Sequence, residues 1–269
     1  MDSKKKEIIN NYFEKHLTLF YDKVFREVAG TNKDFVEEIL RVFLNDENLV
    51  LLESSVQKDM SIYNQKSVVL DCFCKLGNGD LANIEIEKNT FNDKCDHQKR
   101  VRYYSSMINV KSLSKGEKYD SLPNLYMIYL TNKDIFKKRK SVYHIERQIF
   151  ETKDYLDNGY HEIYINAEID DKSDISEMMK SLSRNDYLNK KFKVVSRIKE
   201  VRMDPNEMPK EVKEAFEEMR QENIAEGVAE GKKQTFILLF NQGVIGEDVV
   251  IKNLNITKDE FATLLKEQK

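Results

Sequence analysis

The chain of 269 residues contains no tryptophan, three prolines, nine glycines and three cysteines. So little proline and glycine excludes collagen-like and proline-rich low-complexity chains, and the lack of any apolar run of about 18 residues excludes a membrane-spanning helix. No apolar segment of the kind found in secretory signals follows the charged N terminus, so we expect a cytoplasmic protein. Cys72, Cys74 and Cys95 are therefore expected to be free thiols in the core rather than a disulfide framework.

Charge of neither sign dominates the chain. Its 44 basic and 47 acidic residues give a net charge of −3, so the whole molecule does not attract nucleic acid and any such role must rest on local patches. Hydrophobic residues make up 40% of the sequence, which is enough to bury a core. At roughly 100 to 200 residues per domain, we expect one large domain, or a medium one with a helical appendage.

The spacing of apolar residues predicts the order of the secondary structure. Helices come first, over residues 7–28 and 35–44, and a β meander follows over residues 48–88. A helix over residues 94–113 then leads to an apolar strand over residues 122–130. A strand that follows a helix in this way is typical of a crossover to a central strand, so we expect a mixed sheet flanked by helices.

Residues 205–269 are predicted to form a separate helical extension. The segment MDPNEMP near residue 205 reads as a linker, so the first domain is predicted to span residues 1–204. Beyond the linker, Thr257 and Glu260 have the spacing of a capping box, and the short helical patterns suggest a small helix-turn-helix. We expect these C-terminal helices to contact DNA or a second copy of the chain.

Acidic residues share one face of the predicted hairpin. In residues 68–76 the apolar side chains occupy even positions and Asp71 an odd one, and in residues 81–87 Glu85 and Glu87 are again odd. Burying both apolar faces requires even residues to oppose even residues, which predicts a loop of three or five residues with a glycine-supported bulge. With a three-residue loop we expect Asp71 opposite Glu87 and diagonal to Glu85.

Three carboxylates that meet repel one another unless a cation or protons neutralise them. Their hard oxygen atoms favour Mg²⁺ or Mn²⁺. The alternative is that Asp71, Glu85 and Glu87 face solvent on an open antiparallel sheet, as in an ordinary interaction protein.

Several segments resemble a known nuclease family. Asp71, a glycine-bearing turn and the segment Ile84-Glu85-Ile86-Glu87 resemble the split D…(D/E)-x-K signature of the PD-(D/E)XK nuclease superfamily. Residues 22–30 resemble the D-x-x-F-K-x-x-F-G opening of the Rpn group of recombination-promoting nucleases, also called PD-(D/E)XK transposase-like proteins, with Ala29 in place of phenylalanine. Residues 100–104 and 116–119 are similar to the R-x-x-x-Y and G-x-x-Y segments of that group.

The resemblance implies a restriction-endonuclease-like α/β fold and a metal-dependent DNA endonuclease linked to recombination or mobile elements. Asp71 and Glu85 would bind the divalent cation, with Mg²⁺ expected and Mn²⁺ or Ca²⁺ as alternatives. Glu87 occupies the third catalytic position, where the superfamily prefers lysine and the Rpn group usually has glutamine. Glu87 would therefore bind a second metal, position water, or mark a weakened site, and Lys94 or Lys99 could supply the missing cation.

Basic residues near these positions are candidates for contacts with the DNA backbone, which carry no sequence information. The alternative for them is an ordinary solvated surface. The candidates are Arg26, Lys94, Lys99, Arg100 and Arg102. A second positive cluster lies at residues 133–141. The competing hypothesis for the whole chain is a non-catalytic DNA-binding or assembly module on a nuclease scaffold, for which Glu87 is the main evidence.

Overall fold

The computed structural model describes residues 18–87 and 94–202, with the side chains of 94–96 left out, and shorter parts of both termini. The terminal positions described are 7, 8, 12, 210, 213, 214, 221, 231–241, 246–254, 256–258, 260 and 261. The chain divides into two compact units. One spans Asn11–Glu207, and the other combines Met1–Asn10 with Met208–Lys269.

The first unit contains a sheet and the helices that cover it. The elements in chain order are α1 Asp22–Thr31, α2 Lys33–Phe43, β1 Leu51–Met60, β2 Val68–Leu76, β3 Leu81–Glu87, α3 Lys94–Ser112, a 3₁₀ turn Tyr119–Ser121, β4 Leu125–Thr131, β5 Val142–Ile145, β6 Tyr160–Asn166, α4 Asp174–Ser183 and α5 Lys193–Arg202. Asn32 caps the second helix, because its side chain accepts a hydrogen bond from the Phe35 N–H at 3.0 Å.

The six strands form one mixed sheet in the order β1-β2-β3-β4-β6-β5. The meander β1-β2-β3 is antiparallel, whereas β3, β4 and β6 run parallel to one another. The predicted crossover to a central strand is therefore confirmed. Strand β5 was not predicted, because its four residues at the sheet edge are too few to show a period.

Helices cover both faces of this sheet. One face packs on α1, α2, α4 and α5 through even-numbered residues such as Cys72, Cys74 and Ile84. The other face packs with residues of α3 and includes Phe73 and Tyr129. Strand β3 is consequently covered on both sides, and Glu85 is only 6% exposed. The alternative of a fully solvated acidic face does not hold for Glu85.

The turn between β2 and β3 sets the register of the acidic residues. The loop has three residues, 77–79, because Leu76 N–H donates to the Asp80 carbonyl at 2.8 Å, and Gly79 has a φ of +93°. Even residues oppose even residues, as predicted, with Cys72 paired to Ile84. Continuing this register by one residue places Asp71 opposite Glu85. The expectation that Asp71 lies opposite Glu87 is wrong, because the loop begins one residue earlier than it requires.

Cys72 and Cys74 are buried free thiols, as predicted, and the side chain of Cys95 lies outside the described residues. Among the helices of the described residues, none combines the length and apolar character needed to cross a bilayer.

The second unit contains helical residues 231–241 and α6, Glu247–Leu254. The predicted capping box is present: Thr257 N–H donates to Glu260 Oε2 at 2.7 Å, and Glu260 N–H donates to Thr257 Oγ1 at 3.3 Å. Phe240 and Phe261 pack edge to face with ring centroids 5.0 Å apart. The helix-turn-helix and the domain boundary at residue 204 stay predictions.

Candidate active site

The ladder between β2 and β3 opens at Asp71 and Glu85. Backbone pairing runs from Lys75 and Leu81 to Cys72 and Ile84. Beyond that pair, side chains take the backbone donors: Asp71 N–H donates to Glu85 Oε1, and Ile86 N–H donates to Asp71 Oδ2, both at 3.2 Å. The two carboxyl groups therefore lie together where the strands separate.

Burial disfavours the charged form of both carboxyl groups. Burial, and next the charge of Asp71, raise the pKa of Glu85 to about 7, although Asn83 Nδ2 donates to Glu85 Oε1 at 2.8 Å. Burial also raises the pKa of Asp71; the Ile86 N–H opposes this, and Asp22 adds to it. A cation between Asp71 and Glu85 would relieve their mutual repulsion.

Asp22 adds a carboxylate that was not predicted as a site residue. It lies in the first turn of α1, and the guanidinium of Arg26, one turn later, contacts Asp22 Oδ2 at 2.6 Å and Asp71 Oδ1 at 3.5 Å. Asp22 Oδ1 is buried and has no hydrogen-bond partner among the described residues. The signal for it was present, because Asp22 opens the resembling motif and lies four residues before Arg26.

Gln57 approaches the same carboxylate from β1. Its Nε2 donates to Asp71 Oδ1 at 3.4 Å. Its backbone has a φ of 51°, an unfavourable conformation for a non-glycine residue within a strand. The paired residues on either side remain in register, Val56 with Cys72 and Lys58 with Leu70. Strain of this kind clusters at functional sites, and nothing in the alternating sequence pattern predicted it.

Glu87 forms an ion pair with Arg100 of α3. In the described part of the chain, Asp71, Glu85 and Glu87 do not form a group of three that could hold a metal ion, and Glu87 pairs with this guanidinium instead. Side-chain exposure is 17% for Glu87 and 40% for Arg100, so the pair is partly shielded from water. Arg100 also acts to lower the pKa of Asp71 and of Glu85. A cation from the helix thus faces the acidic residues.

Arg100 is held by a chain of hydrogen bonds that reaches β6. An arginine N–H can only donate, so its contact with His97 Nδ1 at 3.3 Å makes that nitrogen the acceptor. His97 Nε2 then carries the proton and donates to the Tyr164 hydroxyl at 3.1 Å, and Tyr164 donates to Glu162 Oε1 at 2.5 Å. His97 is buried and packs edge to face against Tyr129 and Tyr164, so it has a structural role in the core.

The predicted DNA-contact residues separate into two groups. Arg26 and Arg100 contact site carboxylates. Lys99 and Arg102 are exposed on α3, and the side chain of Lys94 lies outside the described residues. Contacts of these five residues with the DNA backbone remain a prediction.

The donor set fits a hard divalent cation. Within the described residues no three Asp, Glu, His or Cys side chains group closely enough to hold a metal ion unaided. Mg²⁺ does not need such a cage, since it is usually bound by one or two carboxylates together with water and substrate phosphates. Asp71 and Glu85 could supply the two carboxylates, and the charge of Asp22 acts on Asp71 from α1.

Comparison with known proteins identifies the family of the chain. The family model described as PD-(D/E)XK nuclease family transposase matches residues 19–223, which include every element of the sheet. Neither the curated proteins nor the solved structures contain a significant match. The predicted α/β PD-(D/E)XK fold is confirmed, and nucleases of this kind generally use divalent metals. The chain therefore belongs to the PD-(D/E)XK nuclease family transposases, a family with a nuclease-type function related to mobile elements.

Proposed function

We propose that the chain is a metal-dependent DNA endonuclease that hydrolyses phosphodiester bonds with Mg²⁺ as its cation. Its activity would be linked to DNA recombination or to mobile elements. The observation that carries the proposal is the pair formed by Asp71 and Glu85 where β2 and β3 separate. Asp71 and Glu85 would hold the cation, and water and substrate phosphates would complete its coordination.

A bound divalent cation would supply an activated water and would stabilise the charge that develops on the phosphate and the leaving oxygen. The residues around the carboxylates hold these in place. Asn83 and the Asp71 N–H orient Glu85, whereas Gln57 and the Ile86 N–H orient Asp71. Because the pKa of Glu85 is about 7, cation binding requires loss of a proton that Glu85 retains in mildly acidic solution.

Arg100 takes the role of the missing lysine in this proposal. Its guanidinium, held by Glu87 and His97, faces the carboxylate pair and would contact the phosphate being cleaved. Glu87 then acts as a positioning residue for Arg100 rather than as a ligand. The role that the sequence suggested for Lys94 or Lys99 would pass to Arg100 on the same helix.

The same ion pair also supports a second candidate. If Glu87 neutralises Arg100 and keeps it from the phosphate, the site is weakened, and the chain is a DNA-binding or assembly module on the nuclease scaffold. With either function, we propose that the C-terminal helices beyond residue 204 contact DNA or a second copy of the chain.

The test is nicking of supercoiled plasmid in Mg²⁺, Mn²⁺, Ca²⁺ or EDTA. We expect cleavage by the wild type with metal, and at least a hundredfold loss in Asp71→Asn and Glu85→Gln, since each substitution removes a charged oxygen ligand. Asp59→Asn and Glu53→Gln, exposed carboxylates on β1, serve as matched controls and should cut like the wild type. Cleavage that survives in either site variant would exclude this site as the source of activity.

A further inference from the structure

Residues Lys137, Lys138, Arg139 and Lys140, here called the basic loop, lie at the same edge of the sheet as the carboxylates. In the parallel part of the sheet Glu87 is paired with Thr131, and Thr131 with Asn166, so the carboxyl ends of β3, β4 and β6 share one edge. The segment that contains the basic loop leaves β4 after Thr131 and enters β5 at Val142, and the Lys140 carbonyl is held by Asn166 of β6. Since β5 lies three strands from β3 in the sheet, the end of the basic loop is roughly 14 Å from the strand that carries Glu85 and Glu87.

Two side chains bind the backbone of this segment from the inside. Asp134, itself buried, accepts hydrogen bonds from the N–H groups of Phe136, Lys137 and Arg139 at 2.7–3.1 Å. The Tyr143 hydroxyl accepts from Lys138 N–H at 3.2 Å and Lys140 N–H at 3.1 Å, and donates to Asp134 at 2.7 Å. Five successive N–H groups thus point inward.

Strand ends fix the same segment from both sides. Thr131 Oγ1 donates to the Lys133 carbonyl at 2.9 Å, and Asn166 Nδ2 donates to the Lys140 carbonyl at 2.7 Å. Lys137 and Arg139 have φ angles of 56° and 58°, which are costly for residues with side chains. The hydrogen bonds above hold this strained backbone in one conformation.

The result is a fixed row of four exposed cations. Across the described ranges 18–87 and 94–202, none of the four forms an ion pair. The neighbouring acidic residues have other partners: Glu168 contacts Lys133, Asp170 contacts Lys172 and Lys180, and Asp171 contacts Ser141. In a protein with a net charge of −3, such a row provides a local positive field that attracts a polyanion.

We propose that the basic loop binds backbone phosphates of the DNA whose scissile phosphate lies at Asp71 and Glu85. This inference rests on the proposed function, because it names the surface that holds the substrate of that site. Contacts of this kind position the duplex and do not read its sequence.

The test compares two double variants of the full chain. Lys138→Gln/Lys140→Gln removes two charges from the basic loop at residues with negative φ, whereas Lys115→Gln/Lys118→Gln removes two exposed charges from the loop before β4, at the opposite end of the parallel strands. Affinity for fluorescein-labelled DNA duplexes of unrelated sequence is measured by anisotropy in Ca²⁺ across a salt series, with gels to check that the DNA stays intact.

We expect the basic-loop variant to bind every duplex more weakly, with the slope of log K against log salt smaller by about 1.8 for two lost phosphate contacts. The Lys115/Lys118 variant should keep the wild-type slope, and both variants should keep the wild-type melting temperature. Equal affinity and slope in the two double variants would overturn the inference while leaving the nuclease proposal intact. No DNA binding by the wild type would overturn both.

Discussion

Asp71 and Glu85 are tied to each other's strands: the Asp71 N–H donates to Glu85, and the N–H that follows Glu85 in the chain donates to Asp71. In a regular sheet each of these donors would meet a carbonyl group of a neighbouring strand. Here the two carboxylates accept these hydrogen bonds in place of carbonyl groups. The backbone N–H groups therefore hold both carboxylates in a fixed orientation. The proposed cation site is thus part of the hairpin itself.

Glu85 should make the stability of the metal-free protein depend on pH. Its pKa rises from 4.5 to about 7 on folding, so the folded state keeps a proton that the unfolded chain releases. The free energy of unfolding should therefore fall as the pH rises from about 4.5 to 7, by up to about 3 kcal/mol. Urea unfolding in EDTA at pH 5 and pH 8 measures this fall. It should be smaller in Glu85→Gln and unchanged in Glu53→Gln; an identical fall in all three proteins would contradict the assignment to Glu85.

Divalent cations should stabilise the protein most where Glu85 is ionised. At pH 8 and a cation concentration of about 100 Kd, binding adds about 2.7 kcal/mol, which corresponds to roughly 5–10 °C in Tm for a domain of this size. The rise should shrink at pH 5.5, because protons compete for Glu85. Thermal melting with and without Mg²⁺ or Mn²⁺ tests this, with Asp71→Asn expected to lose the rise and Asp59→Asn to retain it. A wild type that melts at the same temperature with and without either metal would count against the cation site.

Arg100 should matter more to cleavage than its neighbour Arg102. Replacing Arg100 with glutamine removes the guanidinium that faces the carboxylates and should slow nicking about a hundredfold. Arg102→Gln changes an exposed residue two positions further along α3 and should slow nicking less. Glu87→Gln keeps a hydrogen-bond acceptor for Arg100 and should cost less than tenfold. Initial rates of plasmid nicking give the comparison. A rate that increases in Glu87→Gln would instead favour the weakened-site candidate.

Lys199 should support the end of α4 from within the core. Only 2% of this residue is exposed, and its Nζ donates to the carbonyl groups of Ser181, Arg184 and Tyr187. Lys199→Met would leave these acceptors unpaired, at a cost of about 3 kcal/mol in the free energy of unfolding. Lys193→Met, at the exposed start of α5, should cost little. Urea unfolding of both variants decides the matter, and equal losses would refute a specific role for Lys199.

The sequence predicted those parts of the fold that depend on periodicity. Alternation in β2 and β3 was sufficient to require that even residues oppose even residues, because one face of each strand must be buried. Periodicity does not decide which residue begins the turn. A loop that begins at Gly77 instead of one residue later exchanges Glu87 for Glu85 as the partner of Asp71.

The spacing of apolar residues could not predict contacts between elements that are distant in the sequence. Asp22 and Gln57 approach Asp71 from α1 and β1, and the pairing of Glu87 with Arg100 depends on how α3 packs across the sheet. The charges at residues 133–141 were visible in the sequence. Their fixed backbone was not, since it depends on the burial of Asp134 and on Tyr143 from the unpredicted strand β5.

The opened ladder also provides a direct spectroscopic view of the site. The Asp71 amide donates a hydrogen bond to Glu85, and the Ile86 amide donates one to Asp71. Protonation of Glu85, or a ligand that binds either carboxylate, therefore changes the environment of one of these amides. Their NMR shifts and solvent-exchange rates should then respond to occupancy while the amides of the paired residues Cys72 and Ile84 stay constant. Two backbone positions can thereby report on ligand binding in solution without a label and without turnover.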